Sequence, residues 1–136
     1  MKYINNYDLV VDWDKNWKYS DLAFIKKIIV YNNEILIEFL SQTKQPNCPI
    51  WPDYEKNFNT IVIKFFNAVG IKLNFENAYF QQVYGFDIID LVDSQLENIK
   101  FKIEDYENGV IEFYCQAIEF VSISNPIKLD INELGF

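Results

Sequence analysis

Between Ile99 and Ile123 apolar and polar side chains take turns along the chain. Ile99, Phe101 and Ile103 alternate with Lys100, Lys102 and Glu104, and Ile111, Phe113, Cys115 and Ala117 alternate with Glu112, Tyr114 and Gln116. A period of two puts one set on a buried face and the other in water. The two runs read as a β-hairpin whose turn is decided by parity. A two-residue Asn108-Gly109 turn would set Ile103 opposite Tyr114 and Phe101 opposite Gln116, apolar against polar throughout, because a one-residue slip exchanges the faces of a strand. The three-residue loop Glu107-Asn108-Gly109 instead sets Ile103 opposite Phe113 and Phe101 opposite Cys115, with Gly109 in the left-handed position of a bulged turn. The alternation slips at Ile118 and Phe120, which predicts a bulge or sharp bend near residues 117–118. This register also opposes Glu104 to Glu112, a like-charge pair that weakens a sheet by roughly 0.2–1 kcal/mol. The diagonal Lys102 relieves it, or else the face is kept acidic for a cationic partner.

A second hairpin joins residues 26–31 to residues 34–40. Here a two-residue Asn32-Asn33 turn satisfies parity: Val30 faces Ile35, Ile28 faces Ile37, and Lys27 meets Glu38 on the other face. Asn tolerates the positive φ of such a turn. Upstream, Tyr7, Leu9, Val11 and Trp13 share one parity and read as a first strand. Asp12 to Asn16 opens like a calcium loop, D-x-D-x-N. The Gly and Glu required at the sixth and twelfth positions are Trp17 and Ala23, so an Asx-rich turn is the better reading. Ser20-Asp21 reads as the cap of a short helical turn through Leu22 to Phe24.

Ile61, Ile63 and Phe65 form a strand, and Val69, Ile71, Leu73 and Phe75 the next, joined at Asn67-Ala68 by a turn or by a bend in one long strand. Residues 76–84 suit a short helix closed by Gly85, with Tyr79, Phe80 and Val83 on one side. Over residues 86–98, Asp87, Asp90, Asp93 and Glu97 recur at helical spacing, but Ile88, Ile89 and Val92 are β-branched. A strand over 86–92 followed by a turn is favoured. Asn125-Pro126 breaks the chain before a last strand through Ile127, Leu129 and Ile131. The fold class is mainly β (α+β): an antiparallel curled sheet or two-layer sandwich of eight or nine short strands with one or two short helices, forming a single domain over residues 1–136.

Residues 41–58 carry Pro46, Pro49 and Pro52, which bar a central strand. The loop holds Trp51, Asp53 and Tyr54, either as a plug at one end of the core or as exposed aromatic anchors of the kind enriched at binding hot spots.

Composition narrows function by exclusion. The formal net charge of −8 argues against a phosphate backbone as ligand, and hence against nucleic acid. It serves solubility and admits a basic protein partner. No apolar run approaches the ~20 residues of a membrane helix. No basic segment followed by an apolar run opens the chain, and Cys48 and Cys115 fit neither a metal nor a redox spacing. The expectation is a cytoplasmic protein with reduced thiols, Cys115 being a small buried hydrophobe. The chain has no His. The commonest general base and zinc ligand is therefore missing, with every Ser-His or Cys-His nucleophile. No Walker loop or G-x-G-x-x-G is present. Twenty acidic residues produce carboxylate pairs by chance, none in a distinctive setting. No enzyme, metal or cofactor is expected.

The order of features resembles the small β-rich immunity proteins of bacterial polymorphic toxin loci. An early hairpin is followed by Pro49-Ile50-Trp51-Pro52, then by Asn59-Thr60-Ile61-Val62-Ile63-Lys64-Phe65, then by the hairpin from Asp105 to Cys115. The likeness runs from about Leu22 to Ile123. It implies an antitoxin that binds and blocks one secreted toxin, without shared catalytic residues to carry over. Three functions then compete. An inhibitor would use an acidic face of Glu104, Asp105, Glu107 and Glu112, with Trp51, Asp53 and Tyr54, against a basic protein. A small-molecule binder would line a cavity with Phe65, Phe75, Phe101 and Phe113, where core filling is the simpler use of those rings. A structural module, monomer or homodimer, would pair through an open sheet edge.

Overall fold

The computed structural model describes residues 3–42, 57–76, 80–107 and 109–128. In chain order these form β1 (Ile4–Asn5), α1 (Asp8–Trp13), a 3-10 turn (Tyr19–Asp21), β2 (Leu22–Tyr31), β3 (Glu34–Gln42), β4 (Asn57–Phe66), β5 (Val69–Leu73), β6 (Gln81–Gln82), β7 (Phe86–Asp90), a second 3-10 turn (Val92–Ser94), β8 (Phe101–Asp105), β9 (Ile111–Cys115), β10 (Ala117–Ile123) and β11 (Ile127–Lys128). One sheet runs β1-β10-β4-β3-β2-β6, with β11 also on β4, and a four-stranded sheet runs β5-β9-β8-β7. Every pairing is antiparallel except β1 with β10.

Both hairpins take the registers that parity predicts. Phe101 lies opposite Cys115, Ile103 opposite Phe113, and Glu104 opposite Glu112. Val30 lies opposite Ile35, Ile28 opposite Ile37, and Lys27 opposite Glu38. Gly109 has φ +64° and Asn32 φ +55°; Asn108 lies outside the described residues. The predicted bend falls at Gln116, where the chain leaves β9 in one sheet and enters β10 in the other. Its partner is Asn67, where the neighbouring strand also changes sheet. Asn67 takes φ +55°, its side-chain amide donates to Gln116 Oε1, and the Gln116 N–H donates to the Phe66 carbonyl at 2.9 Å. Two strands thus turn the same corner side by side and fold the structure into two layers.

The core lies between the layers. Phe65 on β4 meets Phe113 on β9 edge-on, with centroids 5.1 Å apart, and Phe39 on β3 meets Phe86 on β7 at 4.8 Å. Both pairs bridge the sheets in the edge-to-face geometry that aromatic quadrupoles favour. Burying each such ring stabilises the fold by about 1.5–3 kcal/mol. Phe65, Phe101 and Phe113 fill this core, which is the simpler use foreseen for them, whereas Phe75 lies at the surface. Cys115 is buried among them, and burial alone pushes its thiol up to about 12. A smaller cluster of Phe24, Leu40 and Phe58 forms beside it.

Three local expectations are corrected. Residues 8–13 are helical rather than a strand: Val10 is buried, Tyr7 and Trp13 pack against the core at three-residue spacing on either side of it, and Leu9 is exposed. The helical turn precedes Asp21 instead of following it. The Asp21 carboxylate accepts the Lys18 N–H at 2.9 Å, and Leu22 to Phe24 already belong to β2. Gln81 and Gln82 pair with Ile25 and Phe24 as strand, so no helix runs up to Gly85. Residues 77–79 of the expected helix lie outside the described residues. The mainly β class with few short helices holds: eleven strands occur among the described residues, three of them the two-residue pieces β1, β6 and β11, and β11 opens the last strand expected from Ile127, whose Leu129 and Ile131 lie outside the described residues. The strand over 86–90 followed by a turn agrees with expectation, as does the Asx turn, where the Asn16 N–H donates to Asp14 Oδ1 at 3.0 Å.

Candidate functional site

The outer face of the four-stranded sheet carries alternate residues of β7, β8 and β9. Asp87 lies opposite Glu104, Ile89 opposite Lys102, Lys102 opposite Tyr114, and Glu104 opposite Glu112. Lys102 sits between the two glutamates, 3.5 Å from Glu104 and 3.6 Å from Glu112, while Lys72 on β5 reaches Glu112 at 3.4 Å. The Glu104 carboxylate, with Tyr114 and Glu112 adding to it, raises the Lys102 ammonium above its ordinary value. The like-charge pair is therefore relieved in the way its diagonal neighbour suggested. The β5 side of the face is balanced, and unbalanced acid gathers toward β7.

At that end four chain segments converge on a cleft of about 370 Å³ lined by Tyr7, Lys18, Tyr19, Ser20, Phe86, Asp87 and Tyr106. Tyr7 precedes α1. Tyr19 and Ser20 stand on the first 3-10 turn, which Asp21 closes, and Phe86-Asp87 open β7. Beneath, Trp17 is buried and donates its indole N–H to Ser41 Oγ at 3.2 Å, which anchors the segment. Tyr7 and Tyr19 meet edge-on with centroids 6.1 Å apart. Burial raises the Tyr7 phenol, and burial together with Tyr7, Asp87 and Asp90 pushes Tyr19 up to about 12. Both phenols are neutral donors at physiological pH, and the cleft carries one carboxylate, Asp87, and one ammonium, Lys18, in its lining, with Asp90 close enough to act on Tyr19.

Tyr106 is held over the cleft by backbone chemistry. Its N–H donates to the Gly85 carbonyl at 3.3 Å, and its ring lies against Gly85, where a Cβ would come within 2.5 Å of the ring. Gly85 also has φ +78°, a conformation that side chains resist. The Asp105 carboxylate accepts the N–H groups of Tyr84 at 3.2 Å and Glu107 at 3.3 Å, tying the β6–β7 link to the hairpin turn.

Of the residues singled out in the sequence, Glu104 and Glu112 are neighbours on the outer face, and Glu107 is exposed in the adjoining turn. Asp105 is a correction. It has the inward parity of β8, is buried, and acts as a structural acceptor instead of a surface charge. Trp51, Asp53 and Tyr54 lie outside the described residues, as does Cys48. Tyr7, Tyr19, Asp87 and Tyr106 went unforeseen. Only Asp87 had a readable signal, its outward parity on β7. The tyrosines meet through tertiary folding. Among the described residues no group of three or more Asp, Glu or Cys is placed to hold a metal ion, and no helix is long and apolar enough to cross a membrane. The assembled groups are phenol donors, carboxylate acceptors and aromatic faces, which can hold a cationic side chain, with the exposed Lys18 at the margin on the 3-10 turn side.

The family model described as Immunity protein PIM8 matches residues 10–121. Neither the curated proteins nor the solved structures give a match.

Proposed function

The chain belongs to the PIM8 family of immunity proteins, and from that premise we propose that it inhibits a cognate toxin by capturing a basic surface of it on the β7 end of the four-stranded sheet. The observation that carries the proposal is the cleft where Tyr7, Tyr19 and Tyr106 meet Asp87 beside Asp90. A lysine or arginine of the toxin fits there between aromatic faces and carboxylates, and Glu104 and Glu107 extend the contact. Tyrosine is enriched among the few residues that dominate an interface, because it buries a large rigid surface while keeping a donor. Inhibition by occlusion needs no catalytic group, in keeping with a family of binding inhibitors. The net charge of −8 favours encounter with a basic partner. The reading puts the protein in the cytoplasm, where a secreted toxin's activity would be met.

The test is protection against, and binding to, a basic toxin encoded by a neighbouring gene. Cells expressing that toxin should survive when the wild-type chain is co-expressed. Asp87→Asn combined with Tyr106→Ala should weaken binding in calorimetry by at least about tenfold, and Glu119→Gln on the other sheet should not. Equal affinity for all three proteins would remove this face from the interface, and unprotected cells would remove the inhibitor role.

A further inference from the structure

Among the described residues β2 is paired along only part of its outer edge. β6 covers it only at Phe24 and Ile25, and Lys26 is the extra residue of a bulge, since Ile25 lies opposite Phe39 and Lys27 opposite Glu38. From Lys27 to Tyr31 the ladder with β3 is regular. Among the described residues no strand pairs on its other edge. Ile29, Val30 and Tyr31 are 43%, 47% and 72% exposed. Both faces are apolar: Ile28 and Val30 continue the core face, and Ile29 and Tyr31 lie on the other. A regular apolar edge of this kind is a template for pairing. In the four-stranded sheet the two edges differ from this one: β5 is interrupted by a bulge between Val69 and Lys72 that turns it from pairing, and β7 carries the charges of Asp87 and Asp90, which blunt an edge.

We propose that this edge pairs antiparallel with the same edge of a second copy, forming a two-fold dimer centred on Ile29. The register follows from hydrogen-bond directions. Tyr31 and Glu34 flank a two-residue turn and close it as a hydrogen-bonded pair, so Ile29 and Lys27 also bond inward to β3. The N–H and C=O groups of Ile28 and Val30 therefore face outward. A two-fold axis at Ile29 brings Ile28 of each copy opposite Val30 of the other, so all of these outward groups find partners. It also sets Ile29 against Ile29 and Lys27 against Tyr31, with apolar facing apolar and no like charges opposed. Shifting the register by two in one direction puts Lys26 against Val30, and in the other puts Ile28 against the turn residue Asn32. The copy's β6 fits as well, since its strand beside Phe24 and Ile25 falls just past the Asn32-Asn33 turn of the first chain. Such an interface is isologous and closed. Five residues a side is far below the ~20–30 of a standard interface, so the dimer is weak and concentration-dependent.

Sedimentation equilibrium of the full chain over ~10–500 µM, a range suited to weak association, should show the mass rise from 16.2 kDa toward twice that value. Each copy carries −8. Salt screens their repulsion, so the dimer should strengthen with ionic strength, the opposite of a complex with a basic toxin. In a Cys48→Ser background, Ile29→Cys should cross-link under mild oxidation, because residues facing across the axis of an antiparallel pair have Cα atoms about 4.5–5.5 Å apart, within disulfide reach. Val121→Cys, equally exposed on β10, should not. Ile29→Lys should return the sample to monomer while its circular dichroism matches wild type. A wild-type monomer at every concentration and salt, or equal cross-linking at residues 29 and 121, overturns the dimer and leaves the edge for a strand of another protein. The proposed toxin inhibition stands or falls separately.

Discussion

Cys115 shows how one buried atom makes stability depend on pH. Its thiol is buried in the core, opposite Phe101 across the ladder, where a thiolate is poorly solvated, and its pKa moves from 9.0 to about 12. The folded state therefore holds a proton that the unfolded chain releases above pH 9. Between pH 9 and 12 the unfolded state binds fewer protons, so stability falls as pH rises. The contribution is fully present below pH 9 and declines by roughly 3–4 kcal/mol on reaching pH 12. Urea midpoints measured from pH 8 to 11 in a Cys48→Ser background should be nearly level up to pH 9 and fall from there to pH 11. Cys115→Ala should be less stable at pH 8 but lose less over the same interval. Parallel slopes for the two proteins would mean that this thiol does not titrate on unfolding. Tyr19 shifts in the same direction from 10.0, so its contribution is lost above pH 10 and leaves pH 8–10 to the cysteine.

At the scale of the element, the corner formed by Asn67 and Gln116 decides whether the strands make one long sheet or two layers. Asn67 supplies a left-handed backbone and a side-chain bond to the opposite strand. Asn67→Gly should keep the first and lose the second, at a cost of about 0.5–1.5 kcal/mol. Asn67→Ala loses both and should cost about 1–2 kcal/mol more. Equal urea midpoints for the two variants would show that the left-handed conformation carries no strain here. Parity read from the sequence found this corner from the β10 side, because Ile118 and Phe120 break step with Phe113 and Cys115. It also found both hairpin registers, since a strand with one buried face admits few ways to pair. The six residues of α1 escaped because one and a half turns produce too few repeats to compete with the accidental alternation of Tyr7, Leu9, Val11 and Trp13. β6 escaped because two residues have no period at all. The cleft was legible only through Asp87 and the acidic run around it. Its three tyrosines come from positions 7, 19 and 106, and nothing local ties them together.

For the whole molecule, charge and shape divide the work of binding between the two rate constants. A surplus of acid spread over the chain acts at long range, whereas Tyr106 and Tyr19 act only after contact. With a basic toxin, raising the salt from ~0.05 to ~0.5 M shortens the Debye length from about 14 to about 4 Å. Association should slow by about ten- to a hundredfold while dissociation changes little. Asp90, whose charge acts on Tyr19, and Asp93 three residues further on are both exposed, and Asp90→Asn with Asp93→Asn should lower the association rate and flatten its salt dependence. Tyr106→Ala removes a contact without altering charge, so it should leave the association rate within about threefold and raise the dissociation rate. Stopped-flow mixing with the toxin separates the two. If Tyr106→Ala acted on association, or the aspartate variants acted on dissociation alone, the toxin would be held by the carboxylates and the tyrosines would serve the fold.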